Sequence, residues 1–292
     1  MRALHWEDLP EPSHAAIEAR CGTILKAETT TRGIMPGLAA RLDTIDGGRF
    51  FLKAVSDDSP ARELYLREEE ANAALAASKI APTMLWSSIG HGWVVMVFEY
   101  IEGREADLSP GSPDLPQVVA LLRRLGSLPA WQGAPPVTHN VAALRDTANA
   151  LLNRHTGADH WEEYAQALDR FDLDTLAGGA LVHYDLSSGN LLGTTDGTKA
   201  VDWSFACAGA AWLDAVLLLP RLIEAGHTPA QAEAVVAEVP AWDAAPADSI
   251  TGLATLWTMF REYKAFYGPK EMRNARAQAA DAGRAWVKHR TH

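Results

Sequence analysis

The run Leu181-Val182-His183-Tyr184-Asp185-Leu186-Ser187-Ser188-Gly189-Asn190-Leu191-Leu192 carries H-x-D-x-x-x-x-N between two apolar stretches, and Ala200-Val201-Asp202-Trp203 follows with a second aspartate. These residue types in this order suit one chemistry. Transfer of a phosphoryl group to a hydroxyl asks little of a protein. It needs a carboxylate to receive the hydroxyl proton and hard oxygen ligands to hold magnesium on nucleotide phosphates. Asp185 can supply the first, and Asn190 with Asp202 the second. The interleaved apolar stretches read as short strands that keep these groups at a fixed separation. A lone H-x-D is also what a loop histidine beside a solvated aspartate looks like. The asparagine, the apolar flanks and the second aspartate displace that reading, subject to the structural context that any motif requires.

The same pattern is the catalytic loop of the kinase fold. With Asp202-Trp203 standing where protein kinases carry Asp-Phe-Gly, the chain resembles the aminoglycoside phosphotransferase and choline kinase-like family. The resemblance covers roughly residues 24 to 225. It implies an α+β, two-lobed protein kinase-like fold, with a small antiparallel-sheet N-lobe and a larger, mainly helical C-lobe. It also implies ATP or GTP as co-substrate with Mg2+, and a hydroxyl-bearing small molecule as acceptor.

The elements that must position these groups can be read from periodicity and turn chemistry. Residues 24–30, 38–45, 49–55 and 93–100 read as strands, with Asp46-Gly47-Gly48 as a short hairpin connection. Residues 60–77, rich in Glu, Leu and Ala, read as a helix. After Gly103 the texture changes, and helical periodicity dominates from Leu115 onward. The expected division is therefore an N-lobe over residues 1–98, a hinge at 99–103 and a C-lobe over 104–292. The greasy stretch around Ala215 reads as a buried helix ending at Pro220, far too short to span a membrane.

Within the resemblance, Lys53 in Phe51-Leu52-Lys53-Ala54-Val55 corresponds to the strand lysine that contacts nucleotide phosphates. Its apolar neighbours turn it inward, where an unpaired ammonium is costly and a carboxylate is needed. The following helix offers Glu68, Glu69 and Glu70. Glu70 shares a helical face with Leu66, Ala73, Ala74 and Ala77, so it is the expected partner, with Glu69 the alternative. Glu99 and Ile101, at the hinge, mark where backbone groups would meet a purine. Asp214 matches the family aspartate that braces the catalytic loop, an N-cap role being the alternative, and His183 is expected to orient that loop rather than meet substrate. Gly33 and Gly37 flank Ile34-Met35-Pro36, so no G-x-G-x-x-G is present, and no G-x-x-x-x-G-K-[ST] occurs anywhere in the chain. The latter removes the P-loop kinases. Trp257, Arg261, Glu262 and Tyr263 could line an acceptor site, with core and surface roles as the competing readings.

Composition narrows the function classes. The chain is 48% hydrophobic and 22% charged, an ordinary globular balance, and its net charge of −11 argues against nucleic acid as a partner. The two cysteines, Cys21 and Cys207, form no metal or redox motif. With no apolar leader at the N-terminus, they fit a reducing cytoplasm. The expectation is a cytoplasmic small-molecule kinase, with an antibiotic as the expected acceptor. Phosphorylation of an amino alcohol or sugar, and a non-catalytic nucleotide-binding homologue, are the alternatives. A protein kinase is disfavoured because Asp-Phe-Gly, Ala-Pro-Glu and an activation segment are all missing.

Overall fold

The computed structural model describes residues 4–30, 36–154 and 159–292. Gly33 and most of its loop lie outside the described residues. By contacts the chain forms two units. Residues 1–104 and 194–205 make the first, and residues 105–193 and 206–292 the second.

The first unit is built on a five-stranded antiparallel sheet. Helix α1 (Glu11–Cys21) precedes strands β1 (Ile24–Thr29), β2 (Leu38–Thr44) and β3 (Arg49–Ser56). Helix α2 (Arg62–Leu75) then leads to β4 (Met84–Gly90) and β5 (Trp93–Glu99). The sheet order is β1-β2-β3-β5-β4. Strand β2 alternates cleanly, with Leu38, Ala40 and Leu42 buried and the residues between them half-exposed. Strand β5 is buried on both faces from Val94 to Phe98. That is why its sequence is a continuous apolar run rather than an alternating one. One face joins Leu38, Ala40, Leu42, Leu52, Val95 and Val97 to Ile17 of α1, and the other joins Val55, Val94, Met96 and Phe98 to Tyr65 of α2.

Two elements of this unit differ from the sequence reading. Helix α1 lies in a third of the chain that reads mainly as strands, and its apolar signal is sparse: only Ser13 and Ile17 are buried. Pro10 and Pro12, which look like breakers, sit at its N-cap and first turn, where proline is tolerated. Strand β4 is likewise missing from the sequence reading, because Ser87, Ser88 and Gly90 interrupt its apolar pattern.

In the second unit the chain passes from the two-residue strand β6 (Arg104–Glu105) into α3 (Leu115–Leu125), α4 (Thr138–Leu152) and α5 (Asp159–Asp169). Strand β7 (Ala180–Val182) introduces the H-x-D loop and β8 (Leu191–Thr194) follows it, whereas β9 (Gly197–Ala200) belongs to the first unit. Strand β10 (Cys207–Gly209) pairs antiparallel with β7, Cys207 opposite Val182. The chain ends in α6 (Leu213–Glu224), α7 (Pro229–Val236), α8 (Ala247–Tyr267) and α9 (Arg273–Thr291). Helix α6 does not stop at Pro220 but runs through it. A proline there forgoes one hydrogen bond to the preceding turn, a cost offset by a helix whose residues from Leu213 to Pro220 are all buried. Helices α8 and α9 approach closely, and a Cβ at Gly283 would collide with the Thr258 side chain. No helix among the described residues is long and apolar enough to cross a membrane.

Candidate active site

Lys53 lies in the middle of β3, opposite Ala39 on β2 and Met96 on β5. Its side chain is only 12% exposed and its ammonium meets two carboxylates, Glu68 of α2 directly and Asp202 Oδ1 at 2.9 Å. Ser204 Oγ lies 2.6 Å from Asp202 Oδ1 and 3.2 Å from Glu68 Oε2, so one hydroxyl serves both acids. The Tyr65 ring covers the ammonium at 5.4 Å. Burial alone would favour the neutral amine, but Glu68 and Asp202 outweigh it and hold the Lys53 pKa above the ordinary lysine value. For Glu68 burial is the largest influence and pushes its carboxyl up, against the pull of Lys53. Burial also pushes the Tyr65 phenol up to about 12.

The partner of Lys53 is therefore Glu68, not Glu70. Glu70 is exposed on α2, and Glu69 instead accepts a hydrogen bond from Ser87 Oγ at 2.8 Å. The reason is helical phase. The buried stripe of α2 is Tyr65, Glu68, Ala71, Asn72 and Leu75, whereas Ala73, Ala74 and Ala77 are exposed. Alanine forms helix well but carries little apolar area, so an alanine stripe is a poor guide to the core face. Gly37 is fitted to the same cluster, since a Cβ there would collide with the Tyr65 hydroxyl and crowd the Ala54 carbonyl.

Glu99 ends β5 with its carboxylate accepting from the Thr83 amide at 2.9 Å and from Lys199 Nζ at 2.7 Å. Partial burial works against its charge, but these bonds win and hold its pKa below the usual carboxylate range. Its own amide donates to the Thr83 carbonyl, so the polar groups of Glu99 fasten the strand end in place. Ile101 follows just beyond the strand, half-buried.

In the second unit, β7 delivers His183 into a fully buried position and Asp185 onto the surface of the loop. Asp214, 4% exposed, accepts from the His183 amide at 2.8 Å with Oδ2 and from the Tyr184 amide at 2.9 Å with Oδ1. It is the second residue of α6 and makes no capping bond; the N-cap is Trp212. Burial pushes its carboxyl up, with His183 and the two backbone donors pulling it back. Asn190 donates from Nδ2 to the Asp185 carbonyl at 2.7 Å, which closes the loop and leaves the amide oxygen as the group it can offer a cation. The Asp185 carboxylate is 43% exposed, with Arg221 Nη2 3.6 Å from its Oδ1.

Tyr184 and Asp202 adopt left-handed backbone, φ +74° and +64°. Such conformations cost a non-glycine residue about 1–3 kcal/mol and persist only where surrounding bonds over-determine them. Here Asp214 fixes the Tyr184 amide, while Lys53 and Ser204 fix the Asp202 carboxylate. The next residue, Trp203, is fully buried and donates its indole N–H to the Ala200 carbonyl at 3.0 Å. Tyr65, Ser204 and Arg221 are the site residues the sequence reading misses. None belongs to a motif; only the phase of α2 could have exposed Tyr65.

Asp214→Asn should lower stability by about 1–3 kcal/mol, because an amide can keep only one of two buried N–H groups satisfied. Urea unfolding would measure it. A midpoint within error of the parent chain would show that the two bonds carry little.

A model of the phosphotransferase enzyme family matches residues 39–247. Among curated proteins none matches the sequence. Among solved structures, the choline kinase LicA from Streptococcus pneumoniae superposes with a TM-score of 0.62 at 15% identity, over 94% of this chain and 99% of that one. A thermostable mutant of the aminoglycoside phosphotransferase APH(4)-Ia, bound to ADP and hygromycin B, gives 0.60 at 16% identity, over 93% and 98%. The macrolide 2'-phosphotransferase MphH from Brachybacterium faecium gives 0.57 at 18% identity, over 93% and 98%. These likenesses place the fold in the kinase-like class of those enzymes.

Proposed function

Because the chain belongs to the phosphotransferase enzyme family, we propose that it is a small-molecule kinase that transfers the γ-phosphoryl group of ATP or GTP to a hydroxyl of an antibiotic-like acceptor. The observation that carries this reading is the pair of prepared clusters. One is a buried lysine clamped by Glu68 and Asp202; the other is an exposed aspartate on a loop pinned by Asp214 and Asn190. In the proposed reaction Asp185 takes the hydroxyl proton as the new oxygen–phosphorus bond forms. The bond from the γ-phosphorus to the bridging oxygen breaks, and the nucleoside diphosphate leaves with that electron pair. Lys53 offsets phosphate charge, and Glu68 keeps it protonated and aimed.

Asn190 and Asp202 supply the two hard oxygen donors that suit a magnesium ion. Among the described residues no group of three His, Cys, Asp or Glu could hold a metal by itself. Phosphate oxygens and water would therefore complete the coordination, the usual arrangement for magnesium. When bound, the ion neutralises charge on the transferring phosphates. The cytoplasm, where nucleoside triphosphates are plentiful, is the proposed compartment, and the net charge of −11 supports a small molecule rather than nucleic acid as partner.

A panel of hydroxylated antibiotics, sugars and amino alcohols, assayed with labelled ATP and GTP, tests the reading. Magnesium-dependent label transfer to an alcohol is expected, and its absence across the panel, together with absent nucleotide binding, would refute a kinase. Asp202→Ala should lose most magnesium-dependent nucleotide affinity, since one asparagine and the phosphates hold the ion poorly. Calorimetric titration with and without magnesium would show it, and unchanged affinity and activity would remove Asp202 from the metal site.

A further inference from the structure

Helices α6 and α8 place two arginines and a tryptophan beside Asp185. Arg221, 14% exposed, reaches Asp185 at 3.6 Å and Glu224 at 3.2 Å. Its guanidinium lies 5.3 Å from the Trp257 ring centre, and that of Arg261, one turn further along α8, lies 4.8 Å from the same ring. Arg261 has no carboxylate partner within ion-pair distance among the described residues, and its buried Nε makes no hydrogen bond. Burial and the neighbouring Arg221 pull its pKa down to about 10, against the smaller opposing pull of the Glu224 and Asp185 carboxylates. It stays a cation at neutral pH. A largely desolvated guanidinium facing another cation is unfavourable in the free protein; the Trp257 and Phe260 rings and the more distant Glu224 and Asp185 carboxylates, which Arg221 already engages, offset only part of that cost. Its donors fit a planar or tetrahedral oxyanion.

We propose that Arg261, with Arg221 and Trp257, binds an oxyanion carried by the acceptor, so that the preferred substrate is an alcohol bearing a carboxylate or phosphate, not a polycation. This rests on the kinase reading and deepens it. The anion would complete Arg261 and, through Arg221, hold the substrate hydroxyl near Asp185, whose carboxylate would repel an acid left without such a partner.

The test is a set of matched alcohols assayed with labelled ATP: glycerate and gluconate as carboxylates, glycerol 3-phosphate as a phosphate, glycerol and glucitol as neutral counterparts, choline and kanamycin as cations. The acids are expected to show at least tenfold higher kcat/KM than their counterparts, and the better of the carboxylate and phosphate arms identifies the group. Arg261→Met should raise the KM for acids by about 30-fold or more, the usual scale for removing one side of a buried charge pair, with nucleotide KM unchanged. Arg261→Lys should fall between, since it keeps the charge and loses the fork.

A preference for choline or kanamycin overturns the proposal whether or not the variants fold. So does a rise in nucleotide KM with acceptor KM unmoved, which would put Arg261 on the phosphates. Transfer to neutral alcohols but not acids rejects only this inference. Transfer to nothing, without nucleotide binding, rejects the kinase reading with it.

Discussion

Asp185→Asn is expected to bind nucleotide normally and to lose about 10²–10⁴-fold in kcat, the range for removing a general base. The substitution is nearly isosteric and leaves the supports of the loop intact. Asp214 still holds the His183 and Tyr184 amides, and Asn190 still donates to the residue 185 carbonyl, a backbone group the change does not touch. What disappears is the oxygen that can accept a proton and the charge that Arg221 faces at 3.6 Å. A structural role would show as a lowered urea midpoint; a chemical one shows as a fall in kcat with nucleotide affinity preserved. Steady-state kinetics beside a fluorescent-nucleotide titration separates the two. A folded Asp185→Asn protein turning over within about twofold of the parent would place the base elsewhere.

The H-x-D loop was legible because its information is local. His183, Asp185 and Asn190 sit on one short loop whose spacing is set by two strands, and strands announce themselves by apolar runs. The resemblance to the family rested on that loop and on Asp202-Trp203, and the fold class was what the resemblance implied. Partners chosen across the fold were harder. Glu68 lies in a run of three glutamates, and deciding among them needs helical phase to within one residue. The stripe that sets the phase contains Asn72 and Glu68 themselves, so hydropathy points to the wrong face. Helix α1 was hidden for a related reason: it buries little, and its prolines mark a beginning rather than an end. The stretch through Pro220 shows the converse, a local breaker overruled by tertiary burial. Arg221 and Arg261 come together through the packing of α6 on α8, which no spacing within either helix records.

Lys53→Met should cost about 10²–10³-fold in kcat/KM, the scale for losing one preorganised cation or donor at a transferring group. Glu68→Gln should cost about as much, because without the carboxylate the lysine loses one of the two charges that keep it protonated and aimed. The double variant should be little worse than Lys53→Met alone, since residues that act as a unit are non-additive. Glu70→Ala should change kcat/KM by less than about twofold, as expected of an exposed position outside the pair. Fully additive losses at Lys53 and Glu68, or a defect at Glu70 equal to that at Glu68, would break the assignment.

The same pair distinguishes a role in the fold from one in the site. A buried ion pair replaced by apolar groups of similar size is often neutral or stabilising, whereas removing one partner alone leaves an uncompensated charge. The combined change Lys53→Met with Glu68→Leu should therefore keep or raise the melting temperature while activity is lost. A fall in stability matching the fall in activity would mean that the clamp on Lys53 holds the sheet to α2, not the lysine to its phosphates.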